Sequence, residues 1–126
     1  MTNSSFSLKA LMVAAVLALP TLASAAEPAM AKGGMLVDHH GMTLYTFDKD
    51  TAGKSVCNGD PCETNWPPLA ATAMDKASGK WSVIKRDDGK LQWAYDGKPL
   101  YTFKADKKDG DMTGDGKGGV WHVAKP

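Results

Sequence analysis

Four groups of side chains could carry chemistry. His39 and His40 lie between Met35 and Met42. Imidazole and thioether are soft enough ligands for copper. Adjacent histidines on a strand point to opposite faces, whereas on a turn both can reach one ion. The competing reading is a polar hairpin turn that contains histidine. Asp109-Gly110-Asp111-Met112-Thr113-Gly114-Asp115 opens like a calcium loop, with oxygens at Asp109, Asp111, Thr113 and Asp115 and a glycine sixth. The glutamate that an EF-hand requires at position twelve is replaced by Val120, and no helices flank the loop. A solvated Asx/Gly loop is therefore the expected state, with a weak calcium site as the alternative.

Cys57 and Cys62 are five residues apart. In an oxidising compartment the default is a structural disulfide, and closing so small a loop stabilises by about 2 kcal/mol on the entropic account. A thioredoxin-type switch needs two intervening residues and a helix start that lowers one thiol pKa; neither is evident. Tyr45 and Tyr101, with Asp50 and Asp106, form the fourth group. A phenol bonded to a carboxylate can relay a proton or a radical, although more often the bond satisfies a buried hydroxyl. Ser55, Ser78 and Ser82 sit in no nucleophile-elbow setting, and no glycine loop suits phosphate. No catalytic constellation is assigned, no enzyme is expected and no cofactor is predicted. Copper and calcium stand only as alternatives.

The elements that must position these residues are organised around a phrase that occurs twice. Leu44-Tyr45-Thr46-Phe47-Asp48-Lys49-Asp50 returns as Leu100-Tyr101-Thr102-Phe103-Lys104-Ala105-Asp106, at an offset of 56 residues. Alternation puts Tyr and Phe on one strand face. Each copy follows a glycine turn, at Gly41 and Gly97. Met35–Val37 and the turn Asp38–Gly41 predict a hairpin, and Met35–Val37 aligns with Leu91–Trp93. Trp81–Phe103 reads as a three-stranded meander with turns at Asp87-Asp88-Gly89 and Asp96-Gly97. Trp66-Pro67-Pro68-Leu69 excludes helix and central strand, so Trp66 is expected to plug the core from a rigid loop. Residues 70–77 are the one stretch that could make a helical turn. Val120–Val123 closes the chain as a strand.

The chain begins with a lone lysine, Lys9, then an apolar run Ala10–Leu19 and Ala23-Ser24-Ala25-Ala26. This is the order of a secretory signal peptide over residues 1–25, cleaved after Ala25 or Ala26. Ten apolar residues are too few to span a bilayer, which takes roughly 20. No cysteine precedes Cys57, so no lipid anchor is expected. Residues 26–33 read as a flexible lead. The remaining 34–126 form one β domain of two repeats, about 34–69 and 81–126. Removing Lys9 from 15 basic residues leaves 14 against 14 acidic ones. That balance gives no electrostatic support for nucleic acid. Nine of the ten aromatics follow the leader, so the core must be built largely from rings. The predicted fold is all-β: two pseudo-repeated antiparallel hairpin or meander units. They pack as a small sandwich or partly open barrel, with long loops and little helix.

The ordered motifs resemble the secreted repeat family of unknown function, also called predicted lipoproteins with a Tyr-x-aromatic-x-x-Asp motif. Both copies match, through Tyr45, Phe47, Asp50 and Tyr101, Phe103, Asp106. So do the two cysteines leading into Trp66-Pro67-Pro68-Leu69, Arg86-x-Asp88-Gly89, Tyr95-x-Gly97-x-Pro99-Leu100-Tyr101, Gly110-Asp111-x-Thr113-Gly114, and Trp121. The resemblance implies an exported protein and carries over no activity. The expected function is a periplasmic or secreted non-enzymatic module that binds a partner protein, envelope component or small ligand. The alternative is a periplasmic copper-handling or electron-transfer accessory.

Overall fold

A computed structural model describes residues 28–126; the signal peptide and its cleavage point lie outside the described residues. The first elements are β1 (Ala29–Lys32) and β2 (Met35–Asp38), an antiparallel hairpin with Lys32 opposite Met35. Gly33 and Gly34 form its two-residue turn, both at positive φ (62° and 83°), the geometry that matches strand twist. The flexible lead expected over 26–33 is corrected here: Ala29–Lys32 is strand. Its side chains gave no period because only Ala29 is buried. Backbone pairing to β2, rather than side-chain burial, orders it.

The chain reverses at Asp38–Gly41, where Asp38 Oδ1 accepts the N–H groups of His40 and Met42. It returns into β3 (Tyr45–Phe47). A loop closed by the Cys57–Cys62 disulfide leads into α1 (Cys62–Asn65), a single turn that delivers Trp66 to the core. Next comes β4 (Ala70–Ala71), which pairs with β6. The helical turn expected within 70–77 is not formed. The free edge of β6 captures the two alanines as strand, and the one described α-helical turn sits at the disulfide instead. β5 (Trp81–Lys85), β6 (Leu91–Tyr95) and β7 (Lys98–Pro99) make the expected meander. A 3-10 turn at Lys117–Gly119 precedes β8 (Trp121–Val123), which pairs with β3. The sheets are small and antiparallel, and no barrel closes among the described residues.

The two repeats exchange their closing segments. β8, from the second repeat, runs along β3 of the first, with Thr46 opposite His122. The tail of the first repeat runs along the phrase of the second. Thr102 N–H donates to Pro67 C=O (2.8 Å), Leu69 N–H to Leu100 C=O (2.9 Å), and Lys104 N–H to Asn65 C=O (3.0 Å). At the centre Tyr45 and Tyr101 exchange both backbone bonds, at 2.8 and 3.0 Å. Leu36, Leu44 and Ala124 form a closed set of backbone bonds, and Trp93, Leu100 and Leu69 form the matching set. Leu36 thus corresponds to Trp93, one residue off the alignment of Met35–Val37 with Leu91–Trp93. The slip arises because the Asp96-Gly97 turn is tighter than Asp38–Gly41; both of its residues take positive φ (53° and 81°).

Alternation in the phrase divides the core. Leu44 and Leu100 enter one cluster with Trp81 and Trp93. Tyr45, Tyr101 and Phe103 enter the other, with Trp66 and Trp121. Gly114 borders this second cluster. A Cβ there would sit 2.6 Å from Trp66 Cη2 and 3.0 Å from Phe103 Cδ2. Gly114→Ala is expected to destabilise by about 1–3 kcal/mol through overpacking. Each kcal/mol corresponds to roughly 4–8 °C of Tm at this size. Thermal unfolding followed by near-ultraviolet circular dichroism measures the loss; an unchanged Tm would mean the indole has room to move.

Candidate functional site

The phrase motif folds into a crossed arrangement. Tyr45 O–H donates to Asp106 Oδ2 (2.6 Å), and Tyr101 O–H donates to Asp50 Oδ2 (2.6 Å). Each tyrosine therefore bonds the aspartate of the other repeat. The second carboxylate oxygen is held by the aspartate's own loop. Val56 N–H donates to Asp50 Oδ1, and Thr113 donates both N–H and O–H to Asp106 Oδ1. Each phenol oxygen also accepts a bond, from Gly114 N–H at Tyr45 and from the Ser55 hydroxyl at Tyr101. Burial and the bond to Asp106 push the Tyr45 hydroxyl well above the ordinary tyrosine value, against the Gly114 N–H. Burial and the Asp50 bond do the same at Tyr101. Asp50 is itself raised by burial, against its bonds from Tyr101 and Val56 and the charge of Arg86.

The tyrosines abut a ring stack. Phe47, Trp121, Trp66 and Phe103 lie face to face in that order, with centroids 4.2, 3.8 and 4.1 Å apart. The two indoles are within 4° of parallel. Each tryptophan stacks on the phenylalanine of the other repeat. Tyr45 meets Trp66 edge-on at 5.2 Å, and Tyr101 meets Trp121 at 5.1 Å. Such pairs contribute roughly 0.5–1.5 kcal/mol each beyond area burial. Behind Tyr101 lies Arg86, fully buried. It donates to Ser55 Oγ, Gln92 Oε1 and Cys57 C=O, and pairs with Glu63 at 3.1 Å. The disulfide thus holds the carbonyl that Arg86 grips.

The profile of a family described as a secreted repeat of unknown function matches the chain twice, over residues 29–70 and 82–125. The chain belongs to this secreted repeat family. Neither a curated protein nor a solved structure matches it. The first family match takes in β1, and each match covers one structural repeat. The Tyr-x-aromatic-x-x-Asp motif has a physical content: the tyrosine and aspartate are spaced to bond across the repeat boundary, and the aromatic forms one end of the ring stack. The disulfide is consistent with the extracytoplasmic location implied by the family's description as secreted.

The copper candidates are spread along the first hairpin, from β2 to the residue after its turn. His39 and His40 are exposed on the turn, where both line a cleft of about 290 Å³ over Trp93. Met35 packs against the second core cluster, three strand residues from Asp38, a span of roughly 10 Å. Met42 is half-buried. The calcium candidates are each engaged separately. Asp109 pairs with Lys32 (3.2 Å). Asp111 Oδ2 accepts the N–H groups of Lys107 and Lys108, which hold its carboxyl below the usual value. Thr113 bonds Asp106, and Asp115 Oδ1 accepts Val123 N–H. No group of three or more His, Cys, Asp or Glu is placed to share an ion among the described residues.

The sequence reading missed Arg86 as an organising residue. It also missed a groove between the repeats, where two adjoining clefts of about 300 and 270 Å³ share Thr46, Asp48, Asp96 and Lys98. His122 Nε2 meets Asp48 Oδ2 there at 2.8 Å. The signal for Arg86 was its place in Arg86-x-Asp88-Gly89. The groove had none, because its walls come from residues far apart in the chain.

Tyr101→Phe and Tyr45→Phe should each cost about 1.5–3 kcal/mol, the range for a bond to a charged acceptor. Urea unfolding at pH 7 measures this, and a cost near zero would show the crossed bonds to be incidental. The raised tyrosines also set an alkaline limit. Their contribution is fully present below the unfolded tyrosine pKa of about 10 and is lost as pH rises through the higher folded values. Stability should fall steeply above pH about 10, and the double Phe variant should lose most of that slope; a variant with the wild-type slope would assign it to other groups.

Proposed function

We propose that the protein is an exported, non-enzymatic binding module whose recognition face is the groove between the repeats. The observation that carries this reading is the mixture of charge in one groove. Asp48 and Asp96 line it together with Lys80, Lys98 and Lys125, and His122 lies beside Asp48. Both repeats contribute, and strands β3, β7 and β8 carry part of the walls. Such a surface suits a zwitterionic or mixed-charge peptide segment of a partner protein or envelope component, whose carboxylates would meet lysine and whose ammonium groups would meet aspartate.

The non-enzymatic reading rests on commitments elsewhere. The Ser55 hydroxyl is taken up by Tyr101 and Arg86, and both cysteines by their disulfide. The family description names no activity. Near-neutral charge argues against nucleic acid, and the leader argues for a periplasmic or secreted destination.

Titrating mixed-charge peptides into isotope-labelled protein should shift the amides of Thr46, Asp96 and His122. Capped neutral peptides should not. Binding should weaken with salt as the Debye length shrinks from about 10 Å at 0.1 M to about 3 Å at 1 M, and it should be lost in the Asp48→Ala/Lys98→Ala variant. Shifts that cluster elsewhere, or none from any peptide, would remove the groove from this role.

A further inference from the structure

We propose that the stacked indoles and the two tyrosine–aspartate pairs form an internal one-electron relay. An oxidising equivalent taken up on Trp66–Trp121 passes to Tyr45 or Tyr101, and the phenolic proton moves to Asp106 or Asp50. This goes beyond the binding reading and does not depend on the groove.

The arrangement has the parts such a step requires. Two indoles 3.8 Å apart and within 4° of parallel can share a cation radical over both rings. Phe47 and Phe103 cap the ends of the stack at 4.2 and 4.1 Å. They cover the two outer faces of the indole pair. Trp66 and Trp121 are each 6% exposed as residues, so the pair lies just beneath the surface, within reach of outer-sphere electron transfer. A tyrosine ring abuts each indole, at 5.2 and 5.1 Å.

Oxidising a phenol without removing its proton creates a strongly acidic cation. Here a carboxylate oxygen waits 2.6 Å from each hydroxyl, so electron and proton can leave together. The balance is complete. A metal-centred one-electron oxidant removes one electron from the indole pair. The pair then takes one electron from the tyrosine. The phenolic O–H bond breaks, and a new O–H bond forms on Asp Oδ2. An indole radical cation and a carboxylate anion become neutral rings and a neutral acid, leaving a tyrosyl radical. Its oxygen still accepts Gly114 N–H at Tyr45 or the Ser55 hydroxyl at Tyr101. The protonated carboxyl keeps its loop bonds from Thr113 or Val56 on the other oxygen.

Flash-generated ruthenium(III) tris-bipyridine supplies the oxidant for the test, with transient absorption and electron paramagnetic resonance as readouts. In the wild type a tryptophan radical should convert to a neutral tyrosyl radical at a rate independent of buffer concentration. A rate that climbs with buffer base would send the proton to solvent and overturn the relay. Tyr95→Phe removes the third tyrosine and should leave the tyrosyl signal intact; its loss there would relocate the radical and also overturn the proposal. Tyr45→Phe/Tyr101→Phe should abolish the tyrosyl signal and leave a persistent tryptophan radical. Asp50→Asn/Asp106→Asn should slow the conversion by roughly a hundredfold, the scale of a positioned proton acceptor. Conversion at the wild-type rate in that variant would show the carboxylates to be only structural.

Discussion

Tyr45 and Tyr101 offer each other both halves of their peptide hydrogen bonding. A strand residue directs its N–H and C=O to one side only, and its neighbours direct theirs to the other. Because the tyrosines face one another, Leu44 and Thr46 must find partners on the opposite side, as must Leu100 and Thr102. Those partners include the exchanged tails, Ala124 and β8 in one case and Pro67 and Leu69 in the other. The first phrase carries β3 and the second pairs through bridges at Tyr101, and each draws its neighbours largely from the other repeat. An isolated repeat would leave buried peptide groups unpaired, at about 1–3 kcal/mol apiece. The small size of the core makes that loss decisive.

The twofold relation holds at the crossed bonds and breaks in what supports them. On the Asp50 side the loop turns at Gly53 and Gly59 and is drawn tight by the disulfide. A buried guanidinium reads its carbonyl and its serine. Arg86 is balanced by Glu63, with Asp88 4.0 Å from its Nε. Only the guanidinium is buried; Glu63 and Asp88 are partly exposed, and solvent screening moderates what either carboxylate contributes. On the Asp106 side no cation among the described residues lies in hydrogen-bonding contact. Thr113 supplies two donors, and Gly114 lets the loop close over the indole edge. One loop is positioned by a covalent link and a charge, the other by a small residue and a hydroxyl. Both deliver a carboxylate to the same distance from a phenol.

How much of this was legible in the sequence depends on the range of the signal. The repeat, the hairpin at Asp38–Gly41, the meander and the buried Trp66 follow from alternation and turn chemistry, which are local. β1 was missed because a strand with one buried side chain has no period to detect; its evidence was Gly33-Gly34. β4 was missed because two alanines carry no preference strong enough to resist the free edge of β6. The tyrosine–aspartate site was visible as residue types, and its crossing was not. Both pairings, within a repeat and between repeats, satisfy the same motif. Spacing alone cannot tell them apart until the Tyr45–Tyr101 backbone pair fixes which carboxylate each phenol meets.

That same ambiguity bears on why the chain folds on itself. Two near-identical phrases could exchange tails with another copy as readily as with each other, since every bond involved would be remade. The connection between repeats favours the internal solution. The tail Trp66–Leu69 passes directly into β4, and β4 is already paired with β6 of the second repeat. Leu69 sits between them, donating to Leu100 C=O and accepting from Trp93 N–H. A short tether of this kind gives an effective concentration in the millimolar range, above that of a second exported chain. The crossed phenols then fix the register, because a slip by one residue would send every ring of the phrase to the leucine face and leave both carboxylates without their donors.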